Sequence, residues 1–292
     1  MNDQNYIEFK KKRDLGKIIS DTLNFIREEG QPLLSVIIKV SVIPMIMVAV
    51  AGIYYAYLTS KMQSSSANYG YPVFDGYDFG GMLVASLLLL LAYLVAHALI
   101  AASTLSYIHS YESNNGKVNF KDVYDMVKNK FGSFIGLNLL NGIVIGVGLM
   151  FCFLPGIYFW IVLSLSPCLL IFQGKGALDS FGDSFSYTKE NFWNIFGSVF
   201  VIWVILFVLG ILINLPVTFY TGADVNIFSQ DVTIDMDQMI SDPIYLILTV
   251  VAYIVDFFFQ VLIMISRAFI FFDIEEQNNP TTHNVIDQIG VE

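Results

Sequence analysis

Asp256 is the residue of this chain whose type and place invite chemistry. It sits near the middle of the last apolar run, Pro243 to Phe272. An unpaired carboxylate at that depth in a bilayer costs roughly 2.5–3.5 kcal/mol on insertion scales. Burial favours the neutral acid, which both donates and accepts hydrogen bonds. His97, Asn138, Asn141 and Gln260 lie in apolar segments too and are its candidate partners, and Arg267 follows about three turns further along the same run. Such a set would serve a proton or cation relay, or a polar clasp between helices. With no second intramembrane acid, the clasp is the favoured role.

Other chemistries fail on spacing. Gly174-Lys175-Gly176 lacks the upstream Gly and the Ser or Thr that a phosphate loop needs after its Lys, so it reads as a helix break. His97, His109 and His283 stand far apart, with none in a zinc-protease spacing. Cys152 and Cys168 both fall in spans and read as buried apolar thiols rather than a disulfide. Asp231, Asp235 and Asp237 could gather a divalent cation, but they lack the glycine and ligand order of a calcium loop, and solvated loop charge is the expectation. No catalytic residue, cofactor site or metal site is expected, and nothing points to nucleic acid.

The elements that position these residues are membrane spans. Of 292 residues 55% are hydrophobic and 14% charged, a balance foreign to soluble domains. A hydrocarbon core of about 30 Å needs about 20 apolar residues in a helix. Six runs qualify, at about 32–58, 80–107, 134–153, 157–172, 194–216 and 243–272. Pro44 and Pro167 interrupt two of them, and each removes a backbone donor. Gly142 and Gly146, four apart in the third run, offer a place for close helix approach.

Before each outgoing span stands an amphipathic stretch. In residues 14–29 Leu15, Ile18, Ile19, Leu23 and Ile26 recur at three- and four-residue steps, which makes them the candidate face toward the membrane surface or a partner. Phe120, Val123, Tyr124, Val127 and Phe131 repeat the pattern, and Leu178, Phe181, Phe185 and Thr188 do so again. The predicted fold is therefore all-α: a polytopic membrane protein of six transmembrane helices as three hairpins, each preceded by a cytoplasmic amphipathic interfacial helix. Residues 1–31 form the N-terminal segment, 32–272 the membrane domain and 273–292 an acidic tail.

Charge placement sets the expected orientation. Twelve of the fifteen Lys and Arg residues fall before the first span, between the second and third, or between the fourth and fifth. By the positive-inside rule both termini and the three amphipathic helices face the cytoplasm. The Tyr-rich loop 60–79 and the Asp-rich loop 217–242 then face outward. The start of the chain shows no secretory signal pattern, so residues 1–31 are expected to stay inside.

Leu154-Pro155-Gly156-Ile157-Tyr158, Ser166-Pro167, Ala177, Ser180, Ser184-Phe185, Lys189, Phe192-Trp193 and Phe196-Gly197 together resemble a broad bacterial group of six-span inner-membrane proteins. These are the glycerophosphoryl diester phosphodiesterase membrane domain-like and YciC-like proteins. Arg13-Asp14-Leu15-Gly16 is similar to the opening of its Bacteroidota members. The resemblance implies a helical inner-membrane module without established chemistry. The phosphodiesterase barrel sometimes fused to that module is not expected in this chain, and its activity does not carry over. The expected function is a non-enzymatic scaffold or subunit of a membrane complex, with the lipid bilayer, other subunits or further copies of itself as partners. The alternative is a small transporter or channel with Asp256 as an intramembrane proton or cation site.

Overall fold

The structure is a computed structural model that describes residues 6–69, 76–151, 153–189, 191–220 and 243–278. Cys152, His283, the Asp231–Asp235–Asp237 group, Tyr71-Pro72 and most of the acidic tail lie outside the described residues. Among the described residues the regular structure is entirely helical: α1 (Leu15–Tyr69), α2 (Gly76–Ser113), α3 (Phe120–Phe151), α4 (Phe153–Val162), a 3₁₀ turn (Leu163–Leu165), α5 (Ser166–Phe172), α6 (Ala177–Lys189), α7 (Phe192–Tyr220) and α8 (Pro243–Asn278). Six stretches are long and apolar enough to cross a membrane, as in a multi-pass membrane protein; the fourth is built from α4, the 3₁₀ turn and α5.

Two of the expected interfacial helices are not separate elements. Residues 14–29 run without a break into the first span as α1, and Phe120 to Phe131 run into the third as α3. Neither junction carries a glycine or proline signal strong enough to end a helix: Gly30 and Pro32 both lie inside α1, as does Pro44. Only α6 stands apart, set off by the break at Gly174, whose positive φ of 67° suits a residue without a side chain.

The chain divides into two compact units. Unit 1 comprises Met1–Ser41, His97–Val204 and Gln260–Glu292; unit 2 comprises Val42–Ala96 and Ile205–Phe259. In unit 1 the centre is the second half of α2. Ala98, Ala101, Ala102, Ser103 and Ser106 are all at most 1% exposed. Small residues on every side of a helix let neighbours close in around it. From α1 the buried seam is Ile18, Thr22, Phe25, Glu29 and Leu33, at helical spacing. That seam shares only Ile18 with the face expected from the sequence; Leu15, Ile19 and Ile26 are half-buried and Leu23 is exposed.

The residues ahead of α1 are packed into unit 1 as well. Phe9 is fully buried and stacks on Phe269 at 4.4 Å between ring centres. Arg13 is saturated: its Nε donates to Asp21 at 2.8 Å, and its remaining guanidinium nitrogens donate to the carbonyls of Phe9, Lys11 and Glu8. Its backbone N–H donates to Asp273 of α8 at 2.6 Å. The Tyr107 hydroxyl donates to the buried Glu29 carboxylate, also at 2.6 Å. Arg13, Asp21, Asp273 and Glu29 are thus each met by a partner.

The hairpin from α3 to α4 closes on two glycines. A Cβ added at Gly156 would lie 2.9 Å from the backbone nitrogen of Leu149, and one at Gly148 would lie 3.1 Å from the Cα of Gly156. The two backbones touch there, and only glycine fits. Gly142 and Gly146 have nothing within 4 Å where a Cβ would stand, so the close approach is two residues further along α3 than the spacing predicts.

Unit 2 contains the end of the first and fifth spans and the beginning of the second and sixth. Its helices meet at Gly52 against Leu89 and at Gly210 against Phe259. Ile53, Leu87, Leu90, Phe207 and Leu212 are exposed, the surface a hydrocarbon solvent requires.

Candidate functional site

The fourth span is broken, and the break is satisfied from within the protein. Pro167 has no N–H to give the carbonyl of Leu163, which instead accepts from the backbone N–H and the hydroxyl of Ser166, the latter at 2.8 Å. The 3₁₀ turn draws the Ser166 N–H away from the carbonyl of Val162. Ser184 and Thr188 of α6 donate their hydroxyls to that carbonyl, Thr188 at 3.3 Å. Ser180, Ser184 and Thr188 accordingly form the buried face of α6. Leu178, expected on the apolar face, is 75% exposed. Asn141 of α3 donates to the Ser166 hydroxyl at 2.9 Å and ties the break to the third span.

A cavity of about 260 Å³ lies in unit 1. Four elements line it. α2 contributes His97, α4 contributes Trp160, α7 contributes Ile202 and Trp203, and α8 contributes Gln260 and Arg267 with Ile263 and Met264 between them. Gln260, Met264 and Arg267 share a face of α8 because three- and four-residue steps return to the same side. The two indoles meet edge to face at 6.1 Å. The Gln260 amide donates to the backbone carbonyl of His97 at 3.0 Å, which joins α8 to α2 at one wall.

Arg267 is the unusual member. Its Nε is buried without a hydrogen-bond partner, and no carboxylate among the described residues comes within ion-pair range of its guanidinium. Arg267 lies about three turns beyond the mid-span Asp256, toward the end of the last apolar run, and charged groups within membrane segments are ordinarily paired. The polar side chains beside it are already engaged: the Ser266 hydroxyl donates to Leu262 at 2.8 Å, and Gln260 serves His97. The site presents one fixed cation on an otherwise largely apolar and aromatic wall.

The polar set named from the sequence does not assemble as one cluster. His97 and Gln260 meet through a backbone carbonyl and line the cavity. Asn141 serves Ser166, while Asn138 carries a buried amide nitrogen without a partner. Neither asparagine lines the cavity. Asp256 belongs to unit 2 and is exposed. Among the described residues no three His, Cys, Asp or Glu side chains are placed to hold a metal ion. Trp160, Trp203 and Arg267 as cavity walls escape a reading by motif; the one signal is that Arg267 is the sole basic residue in the last apolar run.

A family model described as Uncharacterised protein family (UPF0259) matches residues 79–230, more than half of the 292 residues. The chain belongs to this family. The UPF0259 match takes in α2 to α7, with the Gly148–Gly156 contact, the break at Pro167 and the cavity wall from His97 to Trp203. Gln260 and Arg267 lie beyond the matched residues. No curated protein and no solved structure matches the chain.

Proposed function

We propose that the chain is a non-enzymatic subunit or scaffold of a bacterial inner-membrane complex, with both termini in the cytoplasm. The observation that carries this reading is Asp256. It is exposed on α8, and Val251, Tyr253 and Ile254 around it are exposed too. A carboxylate on the lipid-accessible surface of a span is expensive, and polar groups of neighbouring helices are the usual relief. A partner helix that offers a donor to Asp256 would remove that cost. The orientation rests on the twelve Lys and Arg residues that share one side. The motif resemblance to the glycerophosphoryl diester phosphodiesterase membrane domain-like and YciC-like proteins supports a module that works with others. In this reading the interfacial α6 and the start of α3 are the amphipathic surfaces on the cytoplasmic side.

The test is mild extraction of the tagged, full-length chain from its host membrane, followed by native mass spectrometry. A photo-cross-linking residue at Ile254 is included to trap whatever covers Asp256. Stoichiometric protein, a different subunit or a second copy, is the expected companion, cross-linked at position 254 and released by Asp256→Leu. A lone chain carrying lipid, with no protein adduct at position 254, would overturn the reading.

A further inference from the structure

We propose that the cavity at Arg267 is a binding site for a phosphate group, supplied by an anionic phospholipid of the surrounding membrane or by a free phosphate. The contrast with Arg13 carries the argument. In the same unit, Arg13 is buried with an acid, three carbonyls and the face of Phe269 around its guanidinium. Arg267, two residues before Phe269 on α8, has a buried Nε with no acceptor and, among the described residues, no carboxylate in range. Among the described residues, the chain surrounds one buried arginine with acceptors and leaves the Nε of the other without one. An anion from outside the chain would fill that place.

The chemistry of that anion follows from the walls. Guanidinium presents a planar fork that takes two oxygens of a phosphate together. The nearby Gln260 amide and Ser266 hydroxyl already donate to protein carbonyls, so the guanidinium is the donor offered to the anion's oxygens. Trp160, Ile202 and Trp203 from α4 and α7 line the cavity with Ile263 and Met264 of α8, surfaces suited to a glycerol backbone and the start of an acyl chain. About 260 Å³ accommodates a phosphate with its linkage but not a whole lipid, whose chains would remain in the bilayer. An apolar wall facing a single fixed cation is matched by an amphiphile with one anionic end.

The test reads two of the chain's three tryptophans directly. Full-length protein carrying Trp193→Phe leaves Trp160 and Trp203 as reporters on the cavity wall. It is placed in phosphatidylcholine nanodiscs, which receive either phosphatidylglycerol at increasing mole fraction or inorganic phosphate in the buffer. The expected result is a saturable change in indole emission with phosphatidylglycerol, together with retention of one such lipid in native mass spectra. Arg267→Gln weakens both at least tenfold, and Arg267→Lys, a point charge without the fork, falls between. The same Arg267-dependent change with inorganic phosphate alone assigns the site to free phosphate. Phosphatidylglycerol retained equally by wild type and Arg267→Gln overturns the proposal. So does a wild-type chain whose emission and thermal midpoint respond to neither probe, a result that needs no variant to fold.

Discussion

The hydroxyl of Ser184 donates to the backbone carbonyl of Val162, across from one helix to a break in another. Both atoms are buried, and the break exists because Pro167 and the 3₁₀ turn before it disturb the regular ladder of the fourth span. A short span with a broken middle is tolerable in a membrane only if the protein itself meets the loosened carbonyls. α6 does this from the side, which explains why its buried face is serine and threonine rather than leucine and phenylalanine.

Replacement of Ser184 by alanine should therefore lower stability by about 1–3 kcal/mol, the cost of leaving a buried acceptor under-satisfied. Thr188→Val, whose bond is longer at 3.3 Å, should cost less. Thermal unfolding in one detergent, followed by intrinsic fluorescence, ranks the two. A neutral Ser184→Ala would mean that the helix's own N–H groups suffice at Val162.

The two glycine pairs of α3 and α4 give a prediction with its own control. Gly156→Ala puts a methyl group 2.9 Å from a backbone nitrogen that cannot rotate away, so the hairpin must open, at about 1–3 kcal/mol. Gly142→Ala meets nothing within 4 Å and trades backbone freedom for helix propensity, a gain of up to about 1 kcal/mol. Opposite signs in the thermal midpoint would confirm where the backbones meet. Equal effects would place the contact elsewhere.

Arg13 tests whether the residues ahead of α1 belong to the folded unit. Arg13→Ala strands the Asp21 carboxylate and frees three carbonyls, and hydrogen bonds to charged groups contribute roughly 1.5–3 kcal/mol each at most. Phe9 should then leave its stack on Phe269 more often. Limited proteolysis near Lys10 to Lys12 is the readout: cleavage should speed up in Arg13→Ala and stay near wild type in Lys12→Ala, which sits on the exposed side.

Much of this architecture is legible in the sequence for a physical reason. A run of about 20 apolar residues has one economical use in a cell, so the six spans declare themselves. Leu154-Pro155-Gly156 and Ser166-Pro167 stand out as motifs for the same kind of reason, since each marks a backbone feature that other residues cannot supply. Faces are harder. In a membrane domain both lipid and protein reward apolar residues, so periodicity separated Leu15, Ile19 and Leu23 from charge without telling which side packs inward. The inward side is written instead in small and polar residues, Ser180, Ser184 and Thr188 on α6, and Ala96 to Ser106 on α2. The cavity drew no motif at all, because its walls come from four helices distant in sequence.

Asp256 supplies the last prediction, and it turns on the solvent. If another helix covers it in the membrane, Asp256→Leu removes the partner's reason to bind and relieves the lone chain of a carboxylate facing lipid. The two effects then have opposite signs. The isolated chain in lipid should gain as much as roughly 2.5–3.5 kcal/mol at mid-span, while co-purification of its companion falls. Asp256→Asn keeps an amide that can still hydrogen-bond, so it should retain most of the companion. Loss of the companion from both variants alike would show that the charge, rather than the hydrogen bond, is what the partner recognises. Wild-type recovery in both would remove Asp256 from the interface.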